Sequence, residues 1–253
     1  MLITSLDNDK IKKLIKLKEK KYRDQYNEFI VEGEHLVIEA YRSNLLEEVF
    51  IEQDEVTLLN CDITYVTKEI IDKLTQLETP THIIGLCKKK KEDNNLGNKL
   101  LLLDRIQDPG NLGTIIRSSK AFGIDTVVLG SGCVDLYNDK VIRSTQGIGF
   151  HMNIINANLN ELIPKLKQEE IPIFGTRVQY GEDIRNLLDR DKEKFALIMG
   201  NEGRGVDSSI LDLCDKYIYI ELDSDVESLN VAVATSILLY ELNRWLRWMN
   251  LFI

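Results

Sequence analysis

Short apolar runs alternate with charged, helically patterned segments along this chain, and that alternation predicts its elements. Ile11, Leu14, Ile15 and Tyr22 recur near helical spacing with lysines between them, so Lys10 to Arg23 reads as a helix with Asn8 as its N-cap. Phe29 to Val31, Val49 to Ile51, Ile63 to Val66 and His82 to Cys87 read as strands. Glu34 to Tyr41 and Lys68 to Leu74 read as helices, the second capped by Thr67. Lys88 to Asn98, rich in charge and asparagine, reads as a linker. Beyond it, Leu100 to Asp104, Thr126 to Gly130, Ile171 to Thr176, Phe195 to Gly200 and Tyr217 to Ile220 are near-continuous apolar runs. Helices are predicted between and after them, over Asn111 to Phe122 (Gly123 ending it), Leu159 to Glu169 and Leu229 to Leu246. Such strands imply a mostly parallel sheet covered on both faces. The expected fold class is α/β, with a small domain over 1–92 and a larger one over 93–253.

Composition changes this picture little. At 253 residues the chain has room for two modest domains, and 43% apolar content is ordinary for a globular protein. No apolar stretch is long enough to span a membrane, and Met1 to Asp7 lacks the plan of a signal peptide, so a cytoplasmic protein is expected. Cys61, Cys87, Cys133 and Cys214 are scattered, as are His35, His82 and His151; no metal site or disulfide framework is expected.

Charge is more informative. The net charge of -9 argues against nucleic acid only as a total. Lys10, Lys12, Lys13, Lys16, Lys18, Lys20, Lys21 and Arg23 crowd the first helix against Glu19 alone, and Lys88 to Lys91 form a second basic run. A local basic face can neutralise phosphates whatever the total is. The plainer alternative is a solvated helix face.

Three segments carry the candidate chemistry. In Asn111-Leu112-Gly113-Thr114-Ile115-Ile116-Arg117, Asn111 lies at a helix start and Arg117 sits among apolar residues, where it needs either a partner or a route to solvent. In Met199-Gly200-Asn201-Glu202-Gly203-Arg204-Gly205, a strand empties into a glycine loop. It lacks the Lys-Ser/Thr ending of a phosphate loop, and Glu202 would repel phosphate, so a polar uncharged or cationic ligand suits it better. In Glu227-Ser228-Leu229-Asn230-Val231-Ala232-Val233-Ala234, Ser228 reads as an N-cap, and small residues through Ser236 imply close packing on the last helix.

Together and in this order, the three segments resemble the SpoU (TrmH-like) branch of the SPOUT RNA ribose 2′-O-methyltransferases over residues 99 to 246. Ile3-Thr4-Ser5, the lysine-rich helix, Phe29 to Gly33 and Gly85-Leu86-Cys87 are similar to that family's L30e-like substrate-binding domain. The resemblance implies a deep C-terminal trefoil knot, which generic topology rules would reject. It implies S-adenosylmethionine held against Gly200, Ile220, Leu222 and Leu229 with Thr176 nearby, and a homodimer in which the last helix takes part. It also places Asn111, Arg117, Glu202, Ser228 and Asn230 at catalytic or functional polar positions. Lys10, Lys12, Lys13, Lys16, Lys20 and Arg23 are the expected RNA contacts, and 23S rRNA the expected substrate. Methylation of tRNA, methylation of a base atom, and a non-catalytic RNA-binding module are the alternatives. One stretch departs from the family: a motif that usually begins Ile-Pro-Met, with Gly two residues later, is here Ile220-Glu221-Leu222-Asp223-Ser224. That departure bears on the loop closing over the cofactor. The family's proposal makes Arg117 a general base, which is demanding for a side chain with a reference pKa of about 12.5 or more; an electrostatic clamp fits equally well.

Overall fold

The lysine-rich opening segment folds as two helices rather than one. In the computed structural model, which describes residues 2–76, 81–177 and 181–249, the chain begins with β1 (Leu2–Ile3), α1 (Asp9–Lys16), α2 (Lys20–Tyr26) and β2 (Glu28–Glu32). It continues through α3 (Glu34–Arg42), β3 (Leu46–Glu52), β4 (Asp62–Val66), α4 (Lys68–Leu74) and β5 (Ile83–Lys88). Next come β6 (Lys99–Leu103), α5 (Pro109–Ala121), β7 (Thr126–Leu129), α6 (Asp139–Thr145), β8 (Asn153–Asn156) and α7 (Leu159–Gln168). The last elements are β9 (Ile173–Thr176), β10 (Glu182–Asp183), β11 (Phe195–Met199), α8 (Ser208–Leu211), β12 (Lys216–Tyr219) and α9 (Val231–Met249).

Asn8 caps α1 as expected, its side chain accepting from the Lys10 amide at 2.9 Å. The break at Leu17 to Glu19 has a specific cause. Arg23 is buried at 5% exposure, and its guanidinium donates to the Leu17 and Lys18 carbonyls at 2.9 and 2.7 Å. Those carbonyls lie at and just past the C-cap of α1, so a cation placed there satisfies them and complements the helix dipole. The other edge of the guanidinium meets Asp135 at 2.7 Å. Arg23 is therefore a structural pin, which corrects its expected place on the RNA surface.

Asp135 comes from later in the chain. The molecule divides into two compact units, one of Met1–Lys91 with Asp135–His151, the other of Glu92–Val134 with Met152–Ile253. A single cut near residue 92 therefore omits an excursion that belongs to the first unit. That unit has a mixed five-stranded sheet, β1-β4-β3-β5-β2, in which β2 and β3 run antiparallel to β5. One face packs Ile11, Leu14 and Leu17 with Ile70, Ile71 and Leu74; the other packs Phe29, Val31, Val37 and Ile51 with Ile142 and Phe150.

The second unit has a seven-stranded, wholly parallel sheet, β10-β12-β9-β11-β6-β7-β8. Beside the middle strand β11, β6 carries Leu100 to Leu103, all fully buried. Alternate side chains point to opposite faces, and Leu100 and Leu102 join Leu159, Ile163, Leu166 and Ile210 on the α7 and α8 side. On α5 and α9, Ser118 and Ser236 share a hydrogen bond at 2.7 Å, which small side chains on both helices allow. Lys99 is buried and donates to Asn243 Oδ1 at 2.6 Å, tying α9 to the first central strand. Burial pushes the Lys99 ammonium below the usual lysine range.

The borrowed segment yields a test. Phe150 is buried against Phe29, with ring centroids 5.8 Å apart. Phe150→Ala should lower stability by about 3–5 kcal/mol, and a fragment ending at residue 92 should unfold at lower urea than the first unit does in the full chain. Equal urea midpoints would count against a shared core.

Candidate active site

Loops at the carboxyl ends of β9, β11 and β12 wall a cavity of about 650 Å³ in the second unit. Open α/β sheets place ligands at this edge. Apolar lining comes from Met199, Val206, Ile218, Ile220, Leu222 and Leu238, and polar lining from Thr176, Asn201, Glu202, Glu227 and Ser228. All five residues expected to hold the cofactor, Thr176, Gly200, Ile220, Leu222 and Leu229, lie on this lining. Arg177 also lines it, with its guanidinium 4.0 Å from the centre of the Tyr217 ring.

The first polar segment begins α5. Pro109 occupies the opening turn, where its missing N–H has no partner to lose. Asp108 is the cap, accepting from the Asn111 amide at 2.7 Å, so Asn111 lies inside the first turn rather than before it. At the start of α9 the expected cap also moves. Asn230, not Ser228, accepts from the backbone amides of Ala232 and Val233, at 2.9 and 3.3 Å. Ser228 stays exposed on the cavity lining.

These caps leave side-chain groups free to join the three segments. Asn230 Nδ2 donates to Asn111 Oδ1 at 3.0 Å, and Asn111 Nδ2 donates to Glu202 Oε1 at 2.8 Å. The order of donors is forced from both ends. Asn230 Oδ1 already accepts backbone amides, and an ionised carboxylate can only accept. Arg117 is not part of this chain. It is exposed, and no hydrogen bond or ion pair joins it to another described residue. Six residues along a helix turn it about 120° away from Asn111.

The glycine loop closes on itself. A Cβ at Gly200 would lie 2.2 Å from Gly205 C and from Val206 N, so the glycine admits the chain's own backbone rather than a ligand. Asn201 and Gly205 exchange backbone bonds at 3.1 and 2.8 Å, and Gly205 takes a φ of +67°. Asn201 Oδ1 accepts from the Gly203 and Arg204 amides at 3.0 and 3.2 Å.

Two residues that the sequence pattern passed over hold this loop from outside. Asp104, 4% exposed, accepts from the Asp207 amide at 2.8 Å and from Arg105 at 3.0 Å. Arg105 has a φ of +56°, uncommon for a residue with a side chain, and its carbonyl accepts from Asn201 Nδ2 at 3.0 Å. Its guanidinium also meets Asp207 at 3.1 Å. Hydrogen bonds from Ser209, with Arg105 beside them, hold the Asp207 carboxyl below the usual range. A carboxylate ending an all-leucine strand was the signal, because a buried carboxylate demands partners.

The departing stretch has its own tether, an ion pair between Glu221 and Arg185, which also grips Asp183. The nearby thiols are chemically quiet. Burial pushes Cys133 and Cys214 each up to about 11, so neither is a ready thiolate nucleophile at neutral pH.

The expected RNA lysines lie in the first unit. Lys10, Lys12, Lys16 and Lys20 are exposed and Lys13 is half-buried. Lys10 pairs with Glu48, Lys12 with Asp7, Lys13 with Glu28 and Lys20 with Asp24, all within 3.1 Å. Much of the basic face is thus locally balanced. The exposed pairs of Lys12 and Lys20 are weak, about 0–1 kcal/mol, and a phosphate can displace the acid, whereas the Glu48 and Glu28 carboxylates are 15% and 13% exposed and hold Lys10 and Lys13 more firmly.

By fold and site, the second unit is an α/β domain with a small-molecule cavity at its strand ends. Comparison with known proteins narrows this. Residues 98–240 match the SpoU rRNA Methylase family, and residues 8–85 match an MRM3-like substrate binding domain. The 23S rRNA (guanosine(2553)-2′-O)-methyltransferase RlmP of Bacillus subtilis is 40% identical, over 95% of this chain and 98% of its own. The AdoMet-bound rRNA methyltransferase from Sinorhizobium meliloti superposes with a TM-score of 0.85 at 28% identity, covering 97% of this chain and 98% of its own. A crystallised RNA 2′-O ribose methyltransferase gives 0.79 at 27%, covering 96% and 98%. This chain belongs to the SpoU rRNA methylase family.

Gly200→Ala should force the 200–206 loop apart, lowering stability by about 1–3 kcal/mol in urea unfolding. Gly203→Ala is the control. Its Cβ would meet nothing closer than Asn201 Oδ1 at 3.7 Å, so it should unfold as the parent does.

Proposed function

We propose that this chain transfers a methyl group from S-adenosylmethionine to a ribose 2′-hydroxyl of 23S rRNA, acting as a cytoplasmic homodimer. The observation that carries this reading is the Asn230–Asn111–Glu202 chain of hydrogen bonds, set at the edge of the cavity that Glu202 lines. At about 650 Å³ the cavity lies in the ordinary range for small-molecule sites, about 300–1,000 Å³. Its apolar walls suit an adenine ring, and Glu202 and Glu227 suit a cationic sulfonium. The three loops around it would be the crossing segments of the trefoil knot. The name of the Bacillus subtilis relative supports both the 2′-oxygen and the large-subunit RNA.

Bound in this cavity, S-adenosylmethionine supplies a methyl carbon already activated by its sulfonium. The chain's own residues have to align the ribose and manage the proton and charge of its 2′-oxygen. Positioning of that kind supplies several kcal/mol of a barrier. Asn111 has both ends of its amide committed, so it presents a fixed surface. Arg117, exposed on α5, offers an unused fork of donors to a phosphate and to charge developing on the oxygen. A clamp role suits an exposed guanidinium, whose planar fork of donors lies open to an anionic oxygen.

The homodimer reading rests on α9. Val233, Ile237 and Tyr240 are 49%, 36% and 44% exposed and recur at helical spacing, forming an apolar face that a second copy would cover.

Arg117→Ala should lower turnover by about 10²–10³-fold while leaving the calorimetric affinity for S-adenosylmethionine unchanged. Asn230→Asp keeps the cap acceptor but loses the donor to Asn111. It should melt like the parent yet lose at least about ten-fold in rate; full activity would remove the bridge from the mechanism. Alkaline hydrolysis of 23S rRNA from cells with and without the protein tests the reaction itself. A 2′-O-methyl group blocks cleavage at its phosphodiester, so a stop present only with the protein is expected. An unchanged ladder, or failure to bind millimolar cofactor, would leave an RNA-binding module instead.

A further inference from the structure

The fold-back of α2 against α1 builds a surface that neither helix has alone. Along one continuous helix, Lys13 and Tyr26 would lie about 20 Å apart at 1.5 Å per residue. Here the Lys13 ammonium is 5.4 Å from the Tyr26 ring centre. Tyr22 and Tyr26 lie one helical turn apart, with ring planes within 16° of parallel and centroids 6.4 Å apart. The ammonium groups of Lys16 and Lys21 sit 5.6 and 5.5 Å from the Tyr22 ring.

The two tyrosines have no structural task that explains them. Neither belongs to a core cluster of the first unit, whereas Phe29, Phe50, Tyr65, Tyr137 and Phe150 all pack into one. Neither phenol makes a hydrogen bond to another described residue. Tyr26 is 36% exposed. Tyr41, exposed on α3, makes a useful contrast, because no lysine among the described residues stands over its ring.

We propose that Tyr22 and Tyr26 form a stacking platform for unpaired RNA bases, with Lys16 and Lys21 taking the flanking phosphates. This rests on the RNA-substrate reading above and specifies where single-stranded nucleotides would be held. Parallel aromatic faces among basic side chains are the recognition chemistry of single-stranded nucleic acid, which stacks bases and tracks the backbone by charge. A base stacks on an aromatic face more strongly than an exposed ammonium does. An arriving base therefore displaces the lysines from the rings and leaves them at the distance of its own phosphates. Arg23, buried between the helices, keeps the platform assembled without facing the ligand.

Stacking and phosphate contacts separate by their salt dependence. The full-length protein is titrated by fluorescence anisotropy against a labelled 23S rRNA transcript and against single-stranded oligoadenylate, at several salt concentrations. Tyr22→Ala with Tyr26→Ala should weaken binding to both about ten-fold or more, with the slope of log K against log salt unchanged. Tyr22→Phe with Tyr26→Phe should bind as the parent does, which separates loss of stacking from loss of fold. Lys16→Ala with Lys21→Ala should make the slope shallower by about one to two. Parent-like affinity in the double alanine variant would overturn the platform while leaving the RNA reading intact. A parent protein that binds neither RNA would overturn the RNA reading, and the platform with it.

Discussion

The side-chain amide of Asn111 is the constraint on which the candidate site depends. It has one donor end and one acceptor end, and each is committed to a different distant segment: Glu202 in the glycine loop and Asn230 at the head of α9. Reversing the amide would set oxygen against carboxylate and donor against donor. The geometry is therefore all-or-none. It also couples two helix starts to one loop, because Asn230 simultaneously caps α9 and Asn111 follows the Asp108 cap of α5. The clamp of Asp104 and Arg105 plays the matching part behind the loop. It fixes Asn201 and Asp207 and so determines where Glu202 can stand.

Much of this site was legible in the sequence, because polar residues in strand-to-helix turns stand out against apolar runs. Asn111, Glu202 and Asn230 do meet, and the five residues expected against a cofactor do line one cavity. What could not be read was how each residue achieves this. Ser228 and Asn230 are equally good caps by residue type, and only the register of α9 selects Asn230. The resemblance set the cofactor against Gly200, whereas the close approach that requires a glycine there is made by Gly205 and Val206 of the same loop. Arg117 looked hemmed in by apolar neighbours along the sequence, but the helical turn carries those neighbours inward and leaves the arginine in solvent.

The fold followed the same rule. Long apolar strands and amphipathic helices announced themselves, including the five central strands of the parallel sheet. Elements held mainly by tertiary contacts did not. β8 is Asn-Ile-Ile-Asn and β10 only Glu-Asp, both too short to show a period. The split of the basic helix depended on an arginine that looked like one more surface charge. Its partner Asp135 lies 112 residues away, beyond any local pattern. Charge was also over-read. Lys10 and Lys13 of α1 are matched by carboxylates of β3 and β2, Lys12 by Asp7 and Lys20 of α2 by Asp24, so the sequence run overstated the free positive charge.

The excursion of Asp135–His151 into the first unit sets an order on synthesis. A nascent chain generally folds N-terminal units first, as they emerge at about 5–20 residues per second. Here the first sheet is complete once β5 has been made, yet Phe29 and Arg23 wait for Phe150 and Asp135. For roughly 3–12 seconds of translation, that face of the first sheet is covered by α3 without Ile142 and Phe150, while β6 and β7 emerge behind it. The ribosome thus exposes an incomplete first unit together with the opening strands of the second sheet, so the first unit is finished only after the second has begun.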